Sequence, residues 1–201
     1  AVERGISIER CSPKEVSRIS RNGRQDQGVA LDVVAERMMA LEDWLANPPA
    51  AGHLLLLDGV TTPANVGMIL RSVVAADLAG VILPRRGSPK VDPMVIKASA
   101  GTAFRAPILR TPDSTTAAES LMRAGIPIVG MRMESAIDLY SFEAPARAAW
   151  VLGNEATGVS QGVHDRVTSW VRIPMPGPAE SLNVAVAGSI LAFDMVRRQR
   201  S

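Results

Sequence analysis

One cysteine, two histidines and three lysines are all that this chain of 201 residues holds of those types. The single Cys11 excludes an internal disulfide and fits a reducing cytoplasm. His53 and His164 lie far apart in sequence and no His/Cys cluster exists, so no metal site is expected. No apolar run approaches the about 18–20 residues that a membrane span needs. Residues 1–10 alternate in charge and lack the apolar core of a signal peptide. No G-x-G-x-x-G follows the first strand candidate, and Walker A, G-x-S-x-G and H-E-x-x-H patterns are missing too. These absences leave a nucleotide-binding Rossmann site, a P-loop, a serine-hydrolase elbow and a zinc protease without support. Cys11 sits in a small N-terminal piece, which argues against a cysteine nucleophile.

What is present suits a globular α/β chain. Hydrophobic residues make up 47% of it, enough for one full domain plus a smaller appendage. Net charge is only +2, yet 19 of the 22 basic residues are arginine, whose planar fork binds phosphate in bidentate fashion. Arg10, Lys14, Arg18, Arg21 and Arg24 stand against one acid, Glu15, and R-R-Q-R comes just before the C-terminus. Either a nucleic-acid partner or a solvated surface in an arginine-rich proteome accounts for both clusters.

Residues 1–34 suggest a small α/β piece: G-I-S-I as a strand, 12–19 as a short helix, G-V-A-L-D-V-V as a second strand. That length is too short for an independent core. The chain also starts without methionine, and the piece is expected to be the tail of a larger, truncated N-terminal domain. Residues 36–45 suggest a helix or linker running to the N-P-P-A-A-G break at 47–52, the expected domain boundary. Beyond it, strands are expected at 53–57, 80–83, 107–109, 127–130, 150–152 and 169–173. Helices are expected at 65–78, 93–100, 115–124, 161–166 and 182–198. The fold class is therefore α/β, a mainly parallel sheet flanked by helices.

Three stretches place polar or glycine residues where an apolar strand hands over to a loop or helix, as ligand sites of open α/β sheets do. In N-V-G-M-I-L-R at 65–71, Asn65 could cap a helix, and Gly67 lies one turn before Arg71. Glycine inside a helix costs about 1 kcal/mol against alanine, which suggests a purpose, such as open space beside the guanidinium. The plainer reading is a weakened helix with a surface arginine. In L-G-N-E-A-T-G at 152–158, Gly153 allows close backbone approach and Glu155 is a lone carboxylate at a strand end. An ordinary Gly-Asn turn with a solvated acid would look the same. The third stretch runs from I-P-M at 173–175 to E-S-L-N at 180–183, with Pro174, Pro176, Gly177 and Pro178 between. It specifies a rigid loop, or more commonly just a loop before a Ser-capped helix.

In this order and spacing, the three stretches resemble the sequence motifs of the SpoU (TrmH) family of RNA ribose methyltransferases. S-A-G-T-A-F-R-A-P-I at 99–108 is similar to a further family segment, and the likeness covers roughly residues 54–196. The resemblance implies a SPOUT-type domain with a C-terminal trefoil knot, usually an obligate homodimer, using S-adenosyl-L-methionine and acting on ribosomal or transfer RNA in the cytoplasm. It implies catalytic roles for Asn65, Arg71, Glu155, Ser181 and Asn183, with cofactor contacts from Gly130, Gly153, Ile173 and Leu182. Arg71 would activate the 2′-hydroxyl as a base, or, since arginine is hard to deprotonate, stabilise the developing alkoxide. Residues 1–46 would be the end of a small RNA-binding domain plus linker, with Arg10, Lys14, Arg18, Arg21 and Arg24 on RNA phosphates, and 47–201 the methyltransferase domain. Thr62, Asp77 and Ala185 depart from common family residues, but no principal catalytic position is lost. The alternatives are a SPOUT base methyltransferase, or a catalytically silent RNA-binding or assembly protein on the same fold.

Overall fold

Four consecutive leucines, Leu54–Leu57, give the fold its central strand. In the computed structural model, which describes residues 7–20, 23, 26–31, 33, 35 and 37–199, they end strand β2 (Gly52–Leu57). Leu54 and Leu56 enter one apolar cluster, Leu55 and Leu57 the other, so a continuous apolar run serves both faces of a buried strand. Full burial of each such side chain contributes about 1.5–3 kcal/mol.

Around β2 lie β1 (Met38–Ala40), β3 (Gly80–Pro84), β4 (Ile108–Thr111), β5 (Ile128–Met131), β6 (Arg147–Leu152) and β7 (Ser169–Val171). Every pairing is parallel, in the order β1-β4-β3-β2-β6-β5-β7. Helices α3 (Pro63–Ala75), α4 (Pro93–Ala98) and α7 (Val184–Gln199) pack on one face. On the other are α2 (Leu41–Ala46), α5 (Ser114–Arg123) and α6 (Gln161–His164). The order in which strands are added switches between β2 and β6, with β3 and β4 on one side and β5 and β7 on the other. Such a switch point opens a crevice at the carboxyl ends of the strands. Among the described residues, no helix is long and apolar enough to cross a membrane.

The chain divides into two compact units, Ala1–Val34 and Ala35–Ser201. The division thus falls before the Asn47–Gly52 break expected from sequence. Within 36–45, Met38–Ala40 pairs with β4 and Leu41 is fully buried, so this stretch is part of the second unit rather than a linker. In the first unit, α1 (Pro13–Ser20) is the expected helix. Ser12 donates to the Glu15 carboxylate from both its backbone N–H (2.8 Å) and its hydroxyl (2.7 Å), a reciprocal cap. The strands expected there do not form at Ser7, Ile8, Val29–Leu31 or Val33; the rest of those stretches lies outside the described residues.

Two packing details carry testable consequences. A Cβ on Gly67 would stand 2.5 Å from Ala98 Cβ and 2.6 Å from the Val95 carbonyl oxygen. Gly67 therefore lets α3 and α4 touch, and the space it leaves is filled by α4 rather than kept beside Arg71. Helix propensity alone would make Gly67→Ala stabilising by about 1 kcal/mol. Overpacking against backbone costs about 1–3 kcal/mol and is expected to win. Tm should fall, and a rise would contradict the packing argument.

The second detail is Trp150, fully buried, whose Nε1–H donates to His53 Nδ1 at 3.2 Å. Burial first, then the positive charge of Arg198, holds the His53 pKa below its ordinary value. The unfolded chain takes up this proton as pH falls through about 6.5, while the folded protein does so only lower. The contribution of His53 to stability is therefore complete above that pH and declines below it. Tm is expected to drop on acidification from pH ~7.5 to ~5.5, and His53→Gln, which does not titrate, should show a shallower drop. Equal slopes would contradict this assignment.

Candidate active site

At the switch point the carboxyl ends of β2 and β6 face the first turns of α3 and α7. Pro63 starts α3 with Thr62 as its N-cap residue, so Asn65 is not the cap that its residue type suggested. Asn65 instead turns inward, is buried, and donates from Nδ2 to Glu155 Oε1 at 3.3 Å. Asn183 Nδ2 donates to the same carboxylate oxygen at 3.0 Å and to Asn65 Oδ1 at 3.1 Å. The Val184 N–H, in the first turn of α7, adds a third donor to Glu155 Oε1 at 3.3 Å. The positive end of α7 thus faces a carboxylate. Asn183 is also the cap of α7, its Oδ1 accepting from Ala185 N (2.9 Å) and Val186 N (3.3 Å), which is the part expected of Ser181. One residue from each sequence stretch meets in this cluster. Glu155 is exposed, and its Oε2 takes no hydrogen bond among the described residues.

The loop after β6 is locked around the cluster. A Cβ on Gly153 would come within 2.6 Å of the Gly158 carbonyl carbon and 2.8 Å of Val159 N, so the loop folds back on Gly153 itself. Asn154 holds it there: Oδ1 accepts from Ala156 N (2.8 Å) and Thr157 N (3.0 Å), and Nδ2 donates to the Gly59 carbonyl at 2.8 Å. Buried Asp58 accepts from Ser160 N at 2.6 Å. Neither Asn154 nor Asp58 was singled out from sequence. Asn154 lies inside the second stretch and Asp58 directly follows the leucine strand, so position was the available signal.

Beside the cluster, a cleft of about 410 Å³ opens between the ends of β5 and β6, β7 and the loop before α7. Gly153, Glu155, Ser181 and Leu182 line it, with Met131–Glu134, His164 and Trp170 opposite. A smaller apolar pocket of about 150 Å³ adjoins it, lined by Ile173, Met175 and Leu182 among others. Of the expected cofactor residues, Gly153, Ile173 and Leu182 therefore face cavities. Gly130 does not line them; it seats Trp170, whose ring would lie 2.4 Å from a Cβ there. Arg132 stacks over Trp170 at 4.6 Å and His164 packs against it at 4.9 Å. The wall beyond Arg132 is fixed by Ser135 Oγ donating to Trp170 O (2.7 Å) and by Arg172 Nε donating to Asp138 (2.6 Å). Arg198 bonds the carbonyls of Leu139 and Phe142 and buried Asp194, which ties α7 to the same wall. The cleft's size and largely apolar lining match a small-molecule site.

Arg71 is not in the cluster. It lies six residues after Asn65, on another face of α3, exposed and without an ion pair or hydrogen bond among the described residues. Arg10, Lys14 and Arg18 are exposed in the first unit, with Lys14 and Arg18 one turn apart on α1. Arg21 and Arg24 lie outside the described residues.

Comparison with known proteins gives one consistent result. The model of the SpoU rRNA Methylase family matches residues 52–193. The 23S rRNA (guanosine-2′-O-)-methyltransferase RlmB of Xanthomonas axonopodis pv. citri is 34% identical over 202 residues, covering 99% of this chain and 81% of that protein. The SpoU methyltransferase AviRb of Streptomyces viridochromogenes, solved with AdoMet, superposes with a TM-score of 0.67 at 28% identity, over 76% of this chain and 63% of that one. An AdoMet-bound rRNA methyltransferase from Sinorhizobium meliloti gives a TM-score of 0.65 at 26% identity, over 76% of this chain and 58% of that one. The chain thus spans less than two thirds of these solved relatives.

Proposed function

The chain belongs to the SpoU rRNA Methylase family, and on that premise we propose that it transfers the methyl group of S-adenosylmethionine to a ribose 2′-hydroxyl of structured RNA. The observation that carries this reading is the convergence of Asn65, Glu155 and Asn183 at the mouth of the cleft. The named relative acts on a guanosine of 23S ribosomal RNA, which makes ribosomal RNA the first substrate to try and transfer RNA the second.

The cleft fits the cofactor on its own chemistry. Its volume is that of a cofactor-sized site, its walls at Leu182 and Met131 are apolar, and Gly153 brings backbone to its edge without a side chain. When bound, S-adenosylmethionine supplies an electrophilic methyl on a sulfonium with a neutral thioether as leaving group. The work left to the chain is alignment of the 2′-oxygen with that methyl, with the hydroxyl proton passing to solvent water as the O–C bond forms and the S–C bond breaks. Asn65, Asn183 and the first turn of α7 hold one oxygen of Glu155, leaving the other for a donor of cofactor or ribose. Arg71, unpaired among the described residues and exposed, binds an RNA phosphate and stabilises the developing alkoxide; its guanidinium stays protonated and so has no lone pair with which to accept the hydroxyl proton. Ser181, on the cleft wall, orients the ribose. Lys14, Arg18 and Arg10 contact RNA backbone from the first unit.

The protein acts as a homodimer. Support comes from Met68 on α3 and Val186 and Phe193 on α7, large apolar side chains left between two-fifths and half exposed on helices that touch through Ser72 and Ser189. The C-terminal knot belongs to the same reading; consistent with it, the segment after β5 is bonded to the chain that leaves β7, Arg132 N donating to Val171 O, Leu139 N to Arg172 O and Arg172 N to Ile137 O. A reducing cytoplasm, where exposed Cys11 stays a thiol and ribosomal RNA is assembled, is the fitting compartment. The test is transfer of radiolabelled methyl from S-adenosylmethionine to unmodified total RNA. Label in RNA supports the reading; cofactor binding without transfer to any RNA fraction would favour a silent RNA-binding protein.

A further inference from the structure

The segment P-R-R-G-S-P-K at 84–90 leaves the end of β3 carrying three basic residues and no acid. Its backbone is fastened to the neighbouring strand end: Arg85 N donates to Thr111 O at 2.8 Å and Arg86 N to Pro112 O at 3.0 Å. Arg110, in β4, stands in register with Leu83 of β3 and Ala40 of β1. Its Nη1 is buried and has no hydrogen-bond partner among the described residues, and the same is true of Ser88 Oγ on the basic segment. A buried charged donor left unpaired is costly. The carboxylates flanking the segment are already engaged, Asp113 with Arg86 and Thr116 N, Asp92 with Met94 N and Val95 N. Burial, and then the charge of Arg85 nearby, push the Arg110 pKa down, as expected where two cations sit together.

This basic edge adjoins the active site. Gly87 approaches Gly59 so closely that a Cβ on it would lie 3.8 Å from Gly59 Cα. Gly59 in turn lines a narrow crevice with Asn65 and Glu155, and its carbonyl is held by Asn154.

We propose that Arg85 and Arg110, with the Ser88 hydroxyl on the same segment, form a subsite for a phosphodiester of the substrate RNA, next to the nucleotide being modified. The chemistry follows from the donors: guanidinium forks match phosphate oxygens, and contacts to phosphates position a strand without carrying sequence information. The subsite fixes the strand rather than reading it. Arg86 is a different case, since its guanidinium is already bound to Asp113.

This inference rests on the RNA methyltransferase reading and is tested with unmodified total ribosomal RNA as the probe. RNA affinity would be measured against salt for wild type, Arg85→Ala, Arg110→Gln and Arg86→Ala, alongside S-adenosylmethionine affinity and Tm. Arg85→Ala and Arg110→Gln are each expected to weaken RNA binding ~10-fold or more and to lower the salt slope by about 1, with cofactor affinity unchanged. Arg86→Ala should change both much less. If Arg110→Gln lowers Tm, exposed Arg85 carries the test alone. Wild-type methylation and RNA binding that persist unaltered in Arg85→Ala would overturn the subsite and leave the proposed function standing. An equal loss in Arg86→Ala would also overturn it, because diffuse charge would then suffice. Cofactor binding with no RNA affinity in the wild type would overturn both.

Discussion

Methyl transfer falls at least ~10²-fold in an Arg71→Ala variant, while cofactor affinity and Tm stay at wild-type values. The second half of that expectation comes from the structure. Arg71 is exposed, pairs with no carboxylate and bonds no backbone carbonyl among the described residues, so its removal leaves no buried group unsatisfied. It also lies away from the Asn65–Glu155–Asn183 cluster and from the lining of the cleft, so cofactor binding has no reason to change. The first half comes from chemistry. An unpaired guanidinium on the helix that presents Asn65 is suited to a phosphate or to a forming alkoxide, and losing one such donor typically costs two to three orders of magnitude. Single-turnover transfer at saturating RNA measures the step directly. Wild-type turnover by the variant would remove Arg71 from the mechanism. Loss of rate confined to subsaturating RNA would reduce it to a binding residue.

Gly153→Ala should do the opposite, weakening cofactor binding along with turnover. A Cβ there collides with backbone of Gly158 and Val159, not with the end of a flexible side chain, so the loop after β6 has to move. That loop carries Glu155, and its position is held by Asn154 from Gly59 and by Asp58 from Ser160. A displacement of about 1 Å in such a site can cost ~10²-fold. Loss of S-adenosylmethionine affinity on that scale, read by calorimetry, is the expected result. Near-normal affinity would mean that the loop does not border the cofactor. The contrast between the two variants separates the roles: one glycine shapes the cleft, and one arginine acts on what enters from outside it.

Much of this could be read in the sequence, for identifiable reasons. Leu54–Leu57 declares a strand buried on both faces, and the apolar stretches at 80–83, 107–109 and 150–152 do likewise because a parallel sheet has no solvent side. Met38–Ala40 escaped notice: three residues without turn signals or β-branching become a strand only because the edge of β4 is available. Tertiary context likewise decided local details. Asn65 has the chemistry of a helix cap, but Pro63 fixes the helix start earlier and frees Asn65 for Glu155. Spacing puts Gly67 one turn before Arg71, yet could not say that α4 fills the space at Gly67. Gly130, assigned to the cofactor only by family resemblance, seats an indole ring. The pairing of Arg85 with Arg110 was invisible for the same reason, since a crossover through α4 separates them in the chain.

The central claim is that this cleft and its cluster deliver a methyl group to a ribose oxygen. RNA incubated with the protein and S-adenosylmethionine, then digested to nucleosides and resolved by mass spectrometry, tests it most directly. The account predicts methyl on the sugar, in a 2′-O-methylnucleoside, and a matching linkage in the undigested RNA that resists alkali because the 2′-oxygen beside it is blocked. A methyl group on a base, or cofactor binding with no methylated nucleoside from ribosomal or transfer RNA, would contradict it.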